Sequence, residues 1–261
     1  WFTNLNFGYN DNTVLRETVA ENAIKPSREG YSVGAIFAYK TAGLDDEGYP
    51  LFLTQDGRKV TATEFFKLNN AGASTLSAEE QRNLYSYIGS TEPKVSGGFM
   101  NTFKYKRVTL GINCIFNFGM YVQTTPTYDP TNYDRGLNSN RDILNRWTPD
   151  HTNTTLPKLM TENDGRTGEY LRYKEQNLFR ELDIWVKKQN YFRFESIRLG
   201  YELPEKWLKP VGIKSASVSL EGRNLWVIAS NYHNYLDPET MGNPYAAPIP
   251  KSFIFGLNVN F

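Results

Sequence analysis

Arg107-Val-Thr-Leu-Gly-Ile-Asn-Cys-Ile-Phe-Asn-Phe-Gly-Met120 is the stretch that decides the fold class. Val108, Leu110, Ile112, Cys114, Phe116, Phe118 and Met120 share one parity, and Arg107, Thr109, Gly111, Asn113, Ile115, Asn117 and Gly119 share the other. Successive side chains of a strand point to opposite faces, so this run has one apolar and one largely polar face. It continues for about 14 residues, where a strand of a soluble protein usually has about 5–6. A tilted strand crossing a bilayer needs about 9–11. Length and alternation together point to a membrane strand, with apolar side chains on lipid and polar ones on a lumen.

The same grammar recurs at both ends of the chain. In Ser252-Phe-Ile-Phe-Gly-Leu-Asn-Val-Asn-Phe261, one face carries Phe253, Phe255, Leu257, Val259 and Phe261. On a soluble edge strand that ribbon would be an aggregation hazard; barrel closure removes the edge. Trp1, Thr3, Leu5, Phe7 and Tyr9 likewise share a face, and a chain that opens inside a strand reads as a piece of something longer. Further runs give seven principal strands, at about 1–9, 31–41, 99–105, 107–122, 190–203, 214–228 and 251–261. In the fifth, Phe192 and Phe194 have one parity while Ile197, Leu199 and Tyr201 have the other, which predicts a bulge near Glu195-Ser196.

Connection lengths test the barrel reading independently. With Phe261 at the periplasmic end, the links 10–30, 106 and 204–213 are periplasmic, while 42–98, 123–189 and 229–250 lie outside. Short inner turns and long outer loops are the asymmetry of outer-membrane barrels, and the 10–30 link is the misfit. Asp56-Gly57 marks a hairpin around 51–58. Ser77 with Glu80 predicts a capped helix over 77–88, and 138–147 reads as a second short helix.

Composition agrees with this and excludes other classes. Lys plus Arg is 29 against 28 Asp plus Glu, a balance that argues against a nucleic-acid partner. One Cys excludes an intramolecular disulfide framework or a cysteine zinc site, and Cys114 itself reads as a small apolar side chain facing lipid. No apolar run approaches the roughly 18 residues of a spanning helix. The aromatic share, 16 Phe, 5 Trp and 17 Tyr or 15%, is high for a chain of mean hydropathy −0.55. Averaging apolar-out and polar-in faces with long polar loops accounts for that negative value.

Catalytic chemistry finds little purchase. His151 and His233 lie far apart in loops with no triad or metal partner at usable spacing. Asp45-Asp46-Glu47-Gly48 and Glu162-Asn-Asp-Gly165 are acidic turns without the calcium-loop spacing. No phosphate-binding glycine loop is present. The expectation is a non-enzyme with no catalytic residue, metal or cofactor. Tyr128, Tyr133, Trp147, Tyr232, Tyr235 and Tyr245 stand in the outer links as aromatics that could stack on cargo or touch a partner; the alternative is that they build interfacial girdles or loop cores.

With these elements in place, the chain resembles the C-terminal part of SusC-like (SusC/RagA family) TonB-dependent outer-membrane transporters of the Bacteroidetes type. The carriers are 34–53 (GAIFAYKTAGLDDEGYPLFL), 93–103 (PKVSGGFMNTF), Asn145-Arg-Trp-Thr-Pro149, 191–204 (YFRFESIRLGYELP), Gly222-Arg-Asn-Leu225, Asp237-Pro-Glu239, and 248–256 (PIPKSFIFG). The resemblance implies an all-β fold, the C-terminal portion of an antiparallel transmembrane barrel of about 22 strands with long extracellular loops containing short helices. It implies a plug and further strands upstream, a SusD-like surface lipoprotein as lid, TonB engaged through the upstream part, and import of glycans or peptides across the outer membrane. Phe261 then resembles the terminal aromatic read by the barrel-assembly machinery. Val108, Leu110, Ile112, Phe116, Phe118, Phe253, Phe255, Leu257 and Val259 are expected on lipid. Two rival readings are a soluble or cell-surface carbohydrate-binding β-sandwich and a barrel hydrolase. The ribbon of five alternating apolars at the end counts against the first, and the isolated histidines against the second.

Overall fold

The computed structural model describes residues 1–132, 139–230, 237–243 and 245–261. In chain order the strands are β1 (Phe2–Tyr9), β2 (Ala35–Ala38), β3 (Thr41–Leu44), β4 (Pro50–Leu53), β5 (Lys59–Val60) and β6 (Ser86–Ser90). They continue with β7 (Val95–Tyr105), β8 (Val108–Gln123), β9 (Val186–Glu202), β10 (Ser215–Ala229) and β11 (Ser252–Asn260). Four short helices, α1 (Ala62–Phe66), α2 (Ala78–Arg82), α3 (Thr167–Glu175) and α4 (Glu205–Leu208), lie between them. The chain divides into two compact units: 1–11, 92–121 and 188–261 form the first, and 12–91 with 122–187 the second.

The first unit is one six-stranded antiparallel sheet ordered β1-β7-β8-β9-β10-β11. Its links alternate without exception. Residues 10–94, 124–185 and 230–251 are long and leave one end, whereas 106–107 and 203–214 are short and leave the other. Lys106, at φ 53, closes the tighter of the short turns. The expected wall strand 31–41 is therefore corrected. Only Ala35–Ala38 is extended there, and it pairs with β6 in a two-stranded sheet of the second unit. With that strand gone the wall has six strands rather than seven, and the awkward inner link 10–30 becomes part of one long excursion at the same end as the others.

Register explains the parity switch in β9. Asn113 donates to Ser196 Oγ (3.0 Å) and Asn117 to Tyr191 OH (2.5 Å), so four residues of β8 face five of β9. The two contacts bracket Glu195-Ser196, where the sequence predicts a bulge. A second irregularity lies opposite it, where Arg223 to Trp226 of β10 spans Ser196 to Phe194 and Asn224 takes φ 54.

The second unit has a core of its own, because its segments bring apolar rings from distant places in the chain. Tyr39, Tyr49, Phe52, Phe66, Leu178 and Leu182 are fully buried there. Tyr39 meets Phe66 edge-on at 4.9 Å, Phe52 stacks on Phe65 at 4.9 Å, and Phe179 meets Trp185 at 5.2 Å. The hairpin at Asp56-Gly57 forms between β4 and β5, with Gly57 at φ 84. The capping box at Ser77 and Glu80 also forms, but α2 stops at Arg82 and the chain turns into β6 instead of continuing to 88. Where 138–147 was expected to be helical, Arg141–Asn145 is a 3₁₀ turn.

The acidic turns are tied into this unit. Asp45 accepts from Tyr49 N (2.8 Å) and pairs with Arg166 (2.7 Å), whose guanidinium lies 4.3 Å over the Tyr49 ring. Asp164 accepts from Thr161 Oγ1 (2.7 Å), Thr161 N (3.0 Å) and Tyr49 OH (3.0 Å), and pairs with Lys158 (3.2 Å). Burial alone would raise the Asp164 carboxyl, but these donors outweigh it and hold its pKa down to about 2. Its unfolded value is about 3.9. The folded value is the lower one, so the stabilisation is complete above about pH 4 and is lost as pH falls toward 2. Pepsin cleavage within 157–169 should therefore rise between pH 4 and 2 more steeply in the natural protein than in an Asp164→Asn variant. Parallel pH dependences would remove Asp164 from the account.

Candidate functional site

The two faces of the six-stranded sheet differ in chemistry, and the ladder shows how. On one face Leu5 lies opposite Phe99, Phe99 opposite Cys114, Phe103 opposite Leu110, Leu199 opposite Leu220, and Leu220 opposite Phe255. All nine strand residues expected on lipid fall on this face. Phe253 and Phe255 are each 72% exposed, and Leu257, Leu220, Trp226 and Leu199 are also exposed. No second sheet is part of this unit among the described residues.

Aromatics are sorted along the strands. Phe116, Phe118, Phe192, Phe194 and Trp226 gather toward the long-link end, where Phe116 stacks with Phe192 and Phe194 meets Trp226 edge-on at 6.0 Å. Trp1, Phe103, Tyr105, Tyr201 and Phe261 mark the short-link end, with Trp1 stacked on Phe103. Aliphatic residues such as Leu110, Ile112, Ile197 and Leu199 lie between. Along β8 six to ten residues separate the two bands, from Phe116 and Phe118 to Leu110 and Val108, the partners of Phe103 and Tyr105. Asn101 is the polar intruder on this face, and it is satisfied locally: its Oδ1 accepts from Trp1 Nε1 (3.1 Å) and Thr3 Oγ1 (2.5 Å). Gly97 is roofed by Phe116, whose ring would lie 2.5 Å from a Cβ.

The opposite face is polar. A cleft of about 590 Å³ opens on it, lined by Asn113, Glu195, Ser196, Arg198, Glu221 and Arg223 among others. Arg223 Nε donates to Glu221 Oε1 (2.6 Å), and Arg198 Nη2 to Ser219 Oγ (3.3 Å). Above it in β9, Arg193 is only 2% exposed and is held by two carboxylates of the β10–β11 link, Asp237 at 2.5 Å and Glu239 at 2.5 Å. Asp237 also accepts from Glu239 N (3.0 Å), and Pro238 is fully buried beside it. A buried cation needs such complete pairing, since desolvation costs several kcal/mol per ion. The long link is thereby pinned onto the polar face. Sequence reasoning noted Asp237-Pro-Glu239 but not its partner; the signal was Arg193 at a polar-face position between Phe192 and Phe194.

Of the two readings open to the loop aromatics, Tyr128 follows the loop core. Tyr128 is 7% exposed, its hydroxyl donates to Pro157 O (2.7 Å) and its ring packs at 5.7 Å from Phe179; it is a core residue of the second unit. Trp147 lies half-buried on the backbone of Gly48, where a Cβ would come within 2.5 Å of the indole, so its face is occupied. Tyr245 is fully exposed. Tyr133, Tyr232 and Tyr235, like His233, lie outside the described residues. His151 Nδ1 is 3.1 Å from Arg146 O, a local turn contact.

No family model matches the chain. Over its whole length it is 23% identical to TonB-dependent receptor P3 of Formosa agariphila, of which it covers 27%. Over 67% of the chain it is 25% identical to TonB-dependent receptor P26 of the same organism, covering 18% of that protein. It thus spans about a quarter or less of the curated relatives it matches. Among solved structures, it matches the RagAB peptide transporter with a TM-score of 0.69 at 22% identity, over 99% of this chain and 27% of that one. The RagAB peptide importer in its closed-closed state matches equally, at 0.69 and 23% identity over the same shares. The resemblance read from the motifs is borne out, and the fold is that of part of a TonB-dependent transporter barrel.

Leu110→Arg and Val259→Arg each place a cation on the apolar face, which costs roughly 2–4 kcal/mol at the midplane of a bilayer and less toward its margins. Each variant should lose heat-modifiable migration and outer-membrane yield. Arg193→Ala strands the paired carboxylates and should destabilise by about 3–5 kcal/mol, read as exposure of the β10–β11 link to protease; an unchanged digestion pattern would mean the pin carries no load.

Proposed function

We propose that this chain is the C-terminal part of the wall, with its outer links, of a TonB-dependent active importer in the bacterial outer membrane. The observation that carries this reading is the coincidence of an exposed apolar belt, a polar opposite face and long links confined to one end of the sheet. Closure of the sheet by the remainder of the same barrel satisfies the outer edges of β1 and β11. The residues expected on lipid contact the outer-membrane bilayer. A plug and the TonB-contacting segment belong to the upstream part of the protein. A SusD-like lipoprotein closes over the long-link end, in keeping with the two-component name RagAB among the structural neighbours.

The cargo is a large nutrient, a glycan or a peptide; RagAB is described as a peptide transporter, which favours the second. The chain does no chemistry on it. Its part is to bound a polar passage, here lined by Arg198, Arg223, Glu195 and Glu221, whose opening energy from the inner membrane can gate. No nucleic acid or cofactor enters this account.

The test is uptake by cells. Fluorescent peptide or glycan should enter cells carrying the complete protein, and entry should stop on deleting the protein, its lipoprotein partner or TonB. Recovery of the protein in the soluble fraction, or uptake indifferent to all three deletions, would overturn the reading.

A further inference from the structure

The short-link end of the wall carries a charge that the chain as a whole does not. Over the full length Lys plus Arg and Asp plus Glu balance, 29 against 28. In the two turns at this end, 104–107 and 202–214, the cations are Lys104, Lys106, Arg107, Lys206, Lys209 and Lys214, and the carboxylates are Glu202 and Glu205. Both carboxylates are taken, by Lys104 at 2.7 Å and by Lys209 at 3.5 Å. Lys106, Arg107, Lys206 and Lys214 are exposed and in no ion pair among the described residues. The two turns form one surface: Glu202 N donates to Arg107 O at 2.9 Å, and the Lys104–Glu202 pair joins β7 to β9. The unanswered positive charge is therefore concentrated in one place.

That surface stands at the margin of the apolar face. Lys106 Nζ lies 5.4 Å from the centre of the Tyr105 ring, in the aromatic band of this end. Lys214 N donates to Asn260 O (2.9 Å) and Ser215 lies opposite Asn260. One further step of the ladder sets Lys214 opposite Phe261, in phase with Ala216 and Val218 of the apolar face. Lysine stems run along apolar surface while the ammonium stays at the polar boundary, the depth of lipid headgroups. In the same link Trp207 and Val211 are exposed whereas Leu208 between them is buried. An exposed indole flanked by Lys206 and Lys209 has the amphipathic make-up of an interfacial segment. Lys106 also takes φ 53 in a two-residue hairpin, where glycine or asparagine is less costly, so a cation is kept there against backbone preference.

We propose that this surface binds anionic phospholipid, with Lys106, Arg107, Lys206 and Lys214 on headgroup phosphates and Trp207 and Val211 among the headgroups. The inference rests on the wall reading, because the occupant follows from continuity with the apolar face that this reading sets against the bilayer. A zwitterionic headgroup carries the counter-charge of its own phosphate and leaves the excess unanswered. An anionic headgroup answers it, so the surface discriminates between lipids as well as touching them.

The test uses the complete protein reconstituted in phosphatidylcholine bilayers, with dibrominated phosphatidylglycerol or dibrominated phosphatidylcholine as quencher. Trp207 emission is the difference between the natural protein and Trp207→Phe. Half-quenching should require about fivefold less of the brominated phosphatidylglycerol, and the gap should close as salt is raised. Lys106→Gln combined with Lys206→Gln and Lys214→Gln should bring the two quenchers together. Lys251→Gln, at the long-link end, should leave the gap as it was. Heat-modifiable migration shows that each variant is assembled, and Lys214→Gln alone, expected to narrow the gap by about half, stands in if the triple variant does not assemble. Equal quenching by the two lipids, or a gap indifferent to salt and to the lysine changes, overturns the proposal and leaves the wall reading standing. If neither lipid quenches any tryptophan of the assembled protein, the wall is not in the bilayer and both fall together.

Discussion

The lateral ladder between strands is the constraint on which the rest of the first unit depends. In hydrocarbon no water can satisfy a backbone N–H or C=O, and each orphan costs several kcal/mol. A strand that turns one face to lipid must therefore pair on both sides along its whole membrane length. The registers β1–β7, β7–β8 and β10–β11 run without a slip, and these pairs carry much of the apolar belt. A slip of one residue reverses every side chain beyond it, so a bulge in such a wall must be matched by a reversal in the sequence. In β9 it is: the apolar positions change from Phe192 and Phe194 to Ile197 and Leu199 where the register against β8 changes by one. Both irregularities, at Glu195-Ser196 and at Asn224, border the polar cleft.

The second unit solves a different problem with the same residue types. It has no long ladder; its sheets have two and three strands, and its helices span five to nine residues. Elements this short cannot stand alone. They are held by rings packed edge-to-face and by charged groups laid on those rings, as Arg166 is on Tyr49 and Arg172 on Phe66 at 4.8 Å. The high aromatic content of the chain therefore has two origins, a belt that needs amphipathic rings at its margins and a loop unit that needs large side chains to make a core from scattered segments.

That double use is why the wall was legible in the sequence and the loops were not. Period two over the length of β8 admits few alternatives, and β8, β10 and β11 lie within a residue or so of their expected bounds. Val33, Ala35, Phe37 and Tyr39 also alternate, with Ile36 as the exception, yet only Ala35–Ala38 forms a strand there, in a small sheet with β6. Period two identifies a strand and says nothing about its neighbours. The sign of trouble was the 10–30 link, too long for an inner turn. For Tyr128 and Trp147 the sequence leaves open cargo contact or a loop core, because a link of sixty residues has an interior. No short-range pattern marks which of its rings face inward, since their partners, Phe179 and Gly48, are distant in sequence.

Arg193 shows how the two kinds of order meet within the wall itself. A guanidinium at 2% exposure is costly unless carboxylates reach it directly. Asp237 and Glu239 do so from a link that leaves the sheet at Ala229 and rejoins it at Ser252. Two anions on one cation leave the cluster with excess negative charge, close to the alternating Glu195, Arg198, Glu221 and Arg223 of the cleft. The link is thus tied to the ladder through one buried arginine, and its order depends on that single side chain.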